Sequence, residues 1–313
     1  MAAACAPYVV PEGSPQAKPA FTLAGFQTED GLLLPFLEWG PQRNPKAVVL
    51  GLHGFGDYSN AFDAAAGHFA KHGIATYSYD QRGFGNSPGR GLWHGRERLI
   101  KDAVDAVRGL AKQYPGVPIY LLGHSMGGAI AMSATALHPK MPVEGLILVA
   151  PAVWSRDFMP RLQTELLNVS TRVLPWYPLT GQGIKITPTD DISVLRKLSR
   201  DPKVLRAFRV DQVWGLTNTM DLAQETAGQI GKPSLFLYGL KDDIVPLPPT
   251  QAAIDQIQPD LLRVGVYDDG YHLLLRSRAG EAAVKDIAHW MLAPGKPLPS
   301  GADKDWRARL FGR

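Results

Sequence analysis

The sequence predicts an α/β fold in which a mostly parallel central sheet is flanked by helices and carries an inserted helical cap. Three observations lead there. Short apolar runs at residues 47–52, 74–79 and 143–150 alternate with longer segments of helical periodicity, the pattern of strands buried on both faces and covered by helices. Between about residues 152 and 230 that alternation stops, and helical stretches follow one another without a clear strand. Further apolar runs at 234–238 and 263–267 then resume the sheet, so the interruption reads as an insertion.

Residues 1–20 are expected to be a disordered tail, because the stretch from Pro7 to Pro19 is proline-rich and lacks strand or helix signals. Cys5 follows Ala2-Ala3-Ala4, a small-small-Cys pattern like the end of a bacterial lipoprotein signal. The basic and apolar regions of such a signal do not precede it, so the chain as written reads as soluble and cytoplasmic. Anchoring through Cys5 is the alternative if the true start lies upstream.

Residues 21–27 and 32–39, separated by Glu29-Asp30-Gly31, read as a hairpin. The strand at 47–52 runs into Gly51-Leu52-His53-Gly54-Phe55-Gly56-Asp57, a glycine-rich loop able to present backbone N–H groups to an anion. A helix over 63–72 ends at Gly73 and leads to the strand 74–79. The loop Asp80-Gln81-Arg82-Gly83-Phe84-Gly85-Asn86-Ser87 follows, with Asp80 and Arg82 expected to brace it through hydrogen bonds. Leu99, Ala103, Val107 and Leu110 sit at helical spacing, which makes 97–114 a surface helix with one buried face.

The next strand, 119–122, opens directly into Gly123-His124-Ser125-Met126-Gly127-Gly128 and a small-residue helix over 129–137. Strand, sharp turn and helix around G-x-S-x-G form a turn that lifts a serine hydroxyl above the sheet, and Ser125 is therefore the candidate nucleophile. A hydroxyl placed this way needs donors for the oxyanion it would generate. The backbone N–H groups of Phe55, in the first glycine loop, and of Met126, after the serine, are the candidates.

In the insertion, Phe158, Leu162 and Leu166 lie at helical spacing and serve either to line an acyl pocket or to pack the cap on the sheet. Arg196, Lys197, Arg200, Lys203, Arg206 and Arg209 read as a solvated helix face, with attraction to an anionic head group or membrane surface as the alternative. Past the insertion, the strand 234–238 empties into Gly239-Leu240-Lys241-Asp242-Asp243, and 263–267 leads to Asp268-Asp269-Gly270-Tyr271-His272 before a closing helix over 279–290. His272 is the candidate base, because the other histidines fall in the two glycine loops, on or at the ends of helices, or before the long helix. Asp242 and Asp243 are both in reach as its partner, with Asp157 a third candidate. The chain order of serine, acid and histidine is the order used by Ser-Asp-His hydrolases of this sheet type.

Composition narrows the classes. With 313 residues and a hydrophobic fraction of 45%, the chain can bury its own core, and no apolar run is long enough to cross a bilayer. The net charge of +4 comes from Lys and Arg interspersed with acids, which argues against nucleic acid as a partner. One cysteine excludes an internal disulfide, and no Cys/His spacing suits zinc.

Taken together, His53-Gly54-Phe55-Gly56, the Asp80–Ser87 loop, Gly123-His124-Ser125-Met126-Gly127-Gly128, Gly239-Leu240-Lys241-Asp242 and Gly270-Tyr271-His272 resemble a monoacylglycerol lipase or bacterial lysophospholipase of the α/β-hydrolase superfamily. The similarity covers roughly residues 31–292, leaving the tail 294–313 without a counterpart. In that family the acid stands three residues after the strand-end glycine, which carries over to Asp242. The resemblance implies an α/β-hydrolase core of residues 21–151 and 231–293 with a cap at 152–230, and no cofactor or metal. It also implies a serine hydrolase acting on a small-molecule acyl ester of a single-chain lipid through an acyl-enzyme, with peripheral membrane association in reach. A general carboxylesterase, thioesterase or serine aminopeptidase would use the same triad. A non-catalytic binding protein has no need of all five groups, and a dehalogenase or epoxide hydrolase needs a carboxylate where Ser125 stands.

Overall fold

The computed structural model describes residues 6–180 and 186–312. Cys5 lies outside the described residues. The chain runs β1 (Ala20–Thr22), β2 (Gly25–Gln27), β3 (Leu33–Leu34), β4 (Phe36–Trp39), β5 (Ala47–Leu52), α1 (Asp63–Lys71), β6 (Ile74–Tyr79), α2 (Arg96–Gln113), β7 (Ile119–His124), α3 (Met126–Leu137) and β8 (Gly145–Val149). It leaves the sheet for α4 (Arg161–Val173), β9 (Pro178–Leu179), α5 (Ile192–Arg200), β10 (Phe208–Arg209) and α6 (Val210–Thr226). It then returns through β11 (Ser234–Gly239), α7 (Leu247–Gln256), β12 (Leu262–Tyr267), α8 (Gly280–Leu292) and α9 (Trp306–Phe311).

Among the described residues, seven strands form the main sheet in the order β12-β11-β8-β7-β5-β6-β4. All pairs are parallel except β4 with β6, which are antiparallel. The continuous apolar runs have their physical reason here, since β5, β6, β7, β8 and β11 are buried along their whole length between helical layers. All parallel strands end on the same side, and the loops after β5, β6, β7, β11 and β12 therefore gather at one edge.

Two expectations are corrected. The hairpin of residues 21–39 is divided: β1 pairs β2 and β2 pairs β3 in a small separate sheet, while β4 joins the main sheet. Pro35 separates β3 from β4, because a residue without an N–H cannot carry a ladder through. The expected disordered tail is, from residue 6 onward, an extended strap laid on the core. Val9 bridges to Trp93, Val10 N donates to the Trp93 carbonyl, and Gln16 N and Ala17 N both donate to the Glu29 carbonyl. Its partners are distant in sequence, so no local signal marks the strap as ordered. At the other end, Leu298, Ala302 and Leu310 are buried, and Val266 N donates to the Ala302 carbonyl, so residues 294–312 cover β12 and α7.

The loop 80–87 is braced as expected. Asp80 accepts from Ser59 N and Asn86 N, and Arg82 is buried between Asp30 and Asp102.

Candidate active site

Strand β7 delivers Ser125 at φ 52° and ψ −119°, a conformation that L residues rarely adopt and that is kept only where the surroundings impose it. The surroundings are tight. A β-carbon on Gly123 would lie 2.3 Å from the Gly127 carbonyl oxygen, and one on Gly127 would lie 2.0 Å from that of Leu52. Only glycine permits strand, turn and helix to close this far, which is the physical content of the G-x-S-x-G spacing.

The loops after β11 and β12 bring in two more groups. His272 Nε2 lies 2.9 Å from Ser125 Oγ, and its Nδ1 lies 2.8 Å from Asp242 Oδ2. Since the carboxylate only accepts, Nδ1 carries the imidazole proton, and the free lone pair on Nε2 faces the serine hydroxyl. Asp242 is itself held, because its Oδ1 accepts from Ile244 N at 2.9 Å and Val245 N at 3.0 Å. Asp243 points elsewhere and accepts from Thr187 N at 2.9 Å. Asp157 is exposed on a short helical turn, away from this chain of bonds. Of the acids open in the sequence, the structure joins Asp242 to His272.

Phe55 follows Gly54 in the loop after β5, and Met126 is the first residue of α3. Among the described residues, neither N–H donates to a protein acceptor, so both remain free for a ligand oxygen. The Phe55 loop is anchored by His53, which is fully buried. Gln81 N donates to His53 Nε2 at 2.9 Å, Gln81 Nε2 donates to the His53 carbonyl at 2.8 Å, and His53 Nδ1 donates to the Gly54 carbonyl at 2.9 Å. Burial pushes the His53 imidazole below its ordinary pKa, which keeps Nε2 an acceptor.

A second tie crosses the site. Asp57, in the same loop, pairs with Arg276, four residues past His272. Burial alone would raise the Asp57 pKa, but the Arg276 guanidinium and neighbouring donors outweigh it and hold the carboxyl below its usual range. Neither residue stands out in the sequence. Only the topology, which brings the loops after β5 and β12 together, reveals them.

Above Ser125 lies a cavity of about 670 Å³ walled by Trp154, Met159, Leu167, Val213, Leu216 and Met220, with Asp243 at its edge. Of the cap residues singled out by spacing, Leu166 lines this cavity, whereas Phe158 and Leu162 do not. Leu162, Val169, Val173 and Trp176 are exposed on the outside of the cap. The basic cluster is only partly a free face: Arg196, Lys197 and Arg200 are exposed, but Lys203 lies over the Tyr58 ring and Arg209 pairs with Asp211. Among the described residues, no grouping of His, Cys, Asp and Glu is arranged to hold a metal ion, and no helix is long and apolar enough to cross a membrane.

A family model described as Serine aminopeptidase, S33 matches residues 43–278. The chain is similar to the monoacylglycerol lipase of Mycolicibacterium smegmatis, at 25% identity over 84% of this chain and 94% of that one. It is likewise similar to human monoglyceride lipase, at 26% identity over 84% of this chain and 88% of that one. Among solved structures, a monoacylglycerol lipase from Paleococcus ferrophilus superposes with a TM-score of 0.71 at 23% identity, covering 83% of this chain and 98% of that chain. A soluble variant of the Saccharomyces cerevisiae monoglyceride lipase, in complex with a substrate analog, gives 0.70 at 20% identity over 90% and 97% of the respective chains.

Proposed function

This chain belongs to the α/β-hydrolase family described as Serine aminopeptidase, S33, and from that membership we propose that it is a serine hydrolase cleaving carboxylic esters of single-chain acyl lipids, monoacylglycerol or lysophospholipid. One observation carries the reading: Ser125, hydrogen-bonded to His272 and through it to Asp242, lies in a cavity walled mainly by apolar side chains. An acyl chain fits such a wall, because each buried methylene contributes about 0.8 kcal/mol.

In the proposed mechanism, His272 takes the Ser125 proton as Oγ attacks the ester carbonyl, and Asp242 orients the imidazole and stabilises its cationic form. The Phe55 and Met126 N–H groups receive the developing oxyanion, each donor contributing on the order of 3 kcal/mol. His272 then passes the proton to the departing alcohol, leaving an acyl-enzyme. Water, deprotonated by the same imidazole, hydrolyses it and returns Ser125 to its free form.

The exposed face of α4, with Leu162, Val169, Val173 and nearby Trp176, supports peripheral contact with a lipid surface from which such substrates would be drawn. The test of the function is a substrate panel of monoacylglycerol, lysophospholipid, p-nitrophenyl esters, acyl-CoA and aminoacyl amides. Monoacylglycerol and lysophospholipid are expected to lead in kcat/KM. Preference for an aminoacyl amide would move the chain to the peptidase chemistry its family description carries.

A further inference from the structure

We propose that Phe208, a residue of the cap, positions the oxyanion donor Phe55, so that this half of the hole takes its working geometry only while cap residues 201–208 are seated on the loop. The inference rests on the serine-hydrolase reading above. Its starting point is a concentration of contacts. The Phe208 ring stacks on the Phe55 ring with centroids 4.4 Å apart and planes 29° apart. Leu205 N donates to the Gly56 carbonyl at 2.8 Å, and Tyr58 Oη donates to Asp201 Oδ2 at 2.7 Å. Gly56 has φ +80°, and a β-carbon there would come within 2.7 Å of Phe208 Cζ, so the cap segment lies directly on the loop backbone.

These contacts matter because of where the loop is weak. The N–H of Phe55 belongs to the peptide after Gly54, and glycine opposes rotation of that peptide less than any other residue. The N–H and the ring hang from the same Cα, so a shift of the loop that carries the N–H out of place must also carry the ring out of its contacts. The ring has two aromatic neighbours, Phe84 in an edge contact at 5.4 Å and Phe208 in the stack. Phe84 belongs to the core, whereas Phe208 belongs to the cap. One of the two contacts that hold the ring is therefore supplied by the cap. Phe208 does not line the catalytic cavity, so its removal need not alter acyl binding directly.

The test is steady-state kinetics of Phe208→Ala on p-nitrophenyl acetate, whose acyl group is too short to use the cavity. The expected result is a fall in kcat of roughly 10- to 100-fold with KM little changed, the size expected when a donor is displaced from its working position. Affinity for a trifluoromethyl ketone, whose hydrated or serine-bound adduct places an oxygen in the hole, is expected to fall by the same factor as kcat/KM. Phe208→Tyr, which keeps the stacking face, is expected to restore both. Unchanged kcat on the acetate ester in a folded Phe208→Ala protein would overturn the proposal and leave Phe208 as cap packing. Should Phe208→Ala fail to fold, Phe208→Leu is read in the same assays: loss of kcat and of inhibitor affinity supports the proposal, and retention of both overturns it. Ser125→Ala runs alongside. If it stays active the serine reading itself fails, whereas an inactive Ser125→Ala beside a fully active Phe208→Ala defeats only the role of Phe208.

Discussion

The His124 imidazole donates its Nε2 proton to the backbone carbonyl of His272 over 3.0 Å, tying the residue before the proposed nucleophile to the proposed base. The carbonyl can only accept, so the bond fixes the tautomer of His124. Burial, reinforced by the neighbouring His272, lowers the His124 pKa to about 3, so that it remains neutral at ordinary pH. His124→Phe keeps an aromatic ring but strands the buried His272 carbonyl. The expected outcome is a loss of about 1–3 kcal/mol in stability, together with a drop in kcat from a less well placed His272. Chemical denaturation and kcat on a short ester measure the two effects, and wild-type values for both would show the tie to be idle.

Substitution of the proposed triad gives the sharpest test. Ser125→Ala and His272→Ala are each expected to lower kcat by roughly 10³-fold or more, with the fold intact by circular dichroism. Asp242→Asn is expected to be far more damaging than Asp243→Asn, since the first breaks the 2.8 Å bond to His272 and the second only the bond to Thr187 N. If Asp243→Asn proved the inactive variant, the role of the acid would pass to it.

What could be read in advance follows from the range of each interaction. The turn at Ser125 is legible because its spacing is local, Gly123 being demanded by the Gly127 backbone four residues on, although Gly127 itself is demanded by Leu52 on the adjacent strand β5. The parallel strands are legible because burial on both faces leaves a continuous apolar run. The strap over residues 6–19 is not, since its order depends on Trp93 and Glu29, partners that no local pattern announces. Helix α7 is hard to see because Pro248 and Pro249 stand in its first turn, where proline is accommodated although it would interrupt a helix further along. Asp57 with Arg276, and Phe55 with Phe208, depend wholly on which loops the sheet brings side by side.

Acid stability follows from the buried histidines. His53, His94 and His124 all have lowered pKa values in the folded protein, His94 to about 4 and His124 to about 3, each chiefly through burial. In the unfolded chain they titrate near 6.5. The folded state therefore binds fewer protons below that value, so stability is complete above about pH 6.5 and falls as pH drops towards the folded values. Asp57, also lowered, adds a loss in the same direction at more acid pH. Denaturant unfolding at pH 7, 5.5 and 4.5 is expected to show a decline corresponding to uptake of about two to three protons on unfolding near pH 5. A flat profile would mean that these imidazoles are charged in the fold.

The cavity predicts how activity depends on the acyl chain. Its volume is about 670 Å³ and its walls are largely apolar side chains of α4 and α6, so successive methylenes should exchange water for Leu167, Val213, Leu216 and Met220. At about 0.8 kcal/mol for each methylene, kcat/KM is expected to rise by up to about fourfold per added carbon while the chain still finds free wall, and then to level off. Leu216→Trp, which fills part of the space, should move that plateau to shorter chains while leaving kcat on the acetate ester near the wild-type value. With the cavity at Ser125 taking one acyl chain, diacyl and triacyl substrates are expected to lag well behind monoacyl ones. Measurement over a series of p-nitrophenyl esters from two to sixteen carbons, with and without Leu216→Trp, decides the matter. A preference for acetate, or a plateau that Leu216→Trp does not shift, would place the acyl chain outside this cavity and favour a general carboxylesterase over a lipase acting on single-chain lipids.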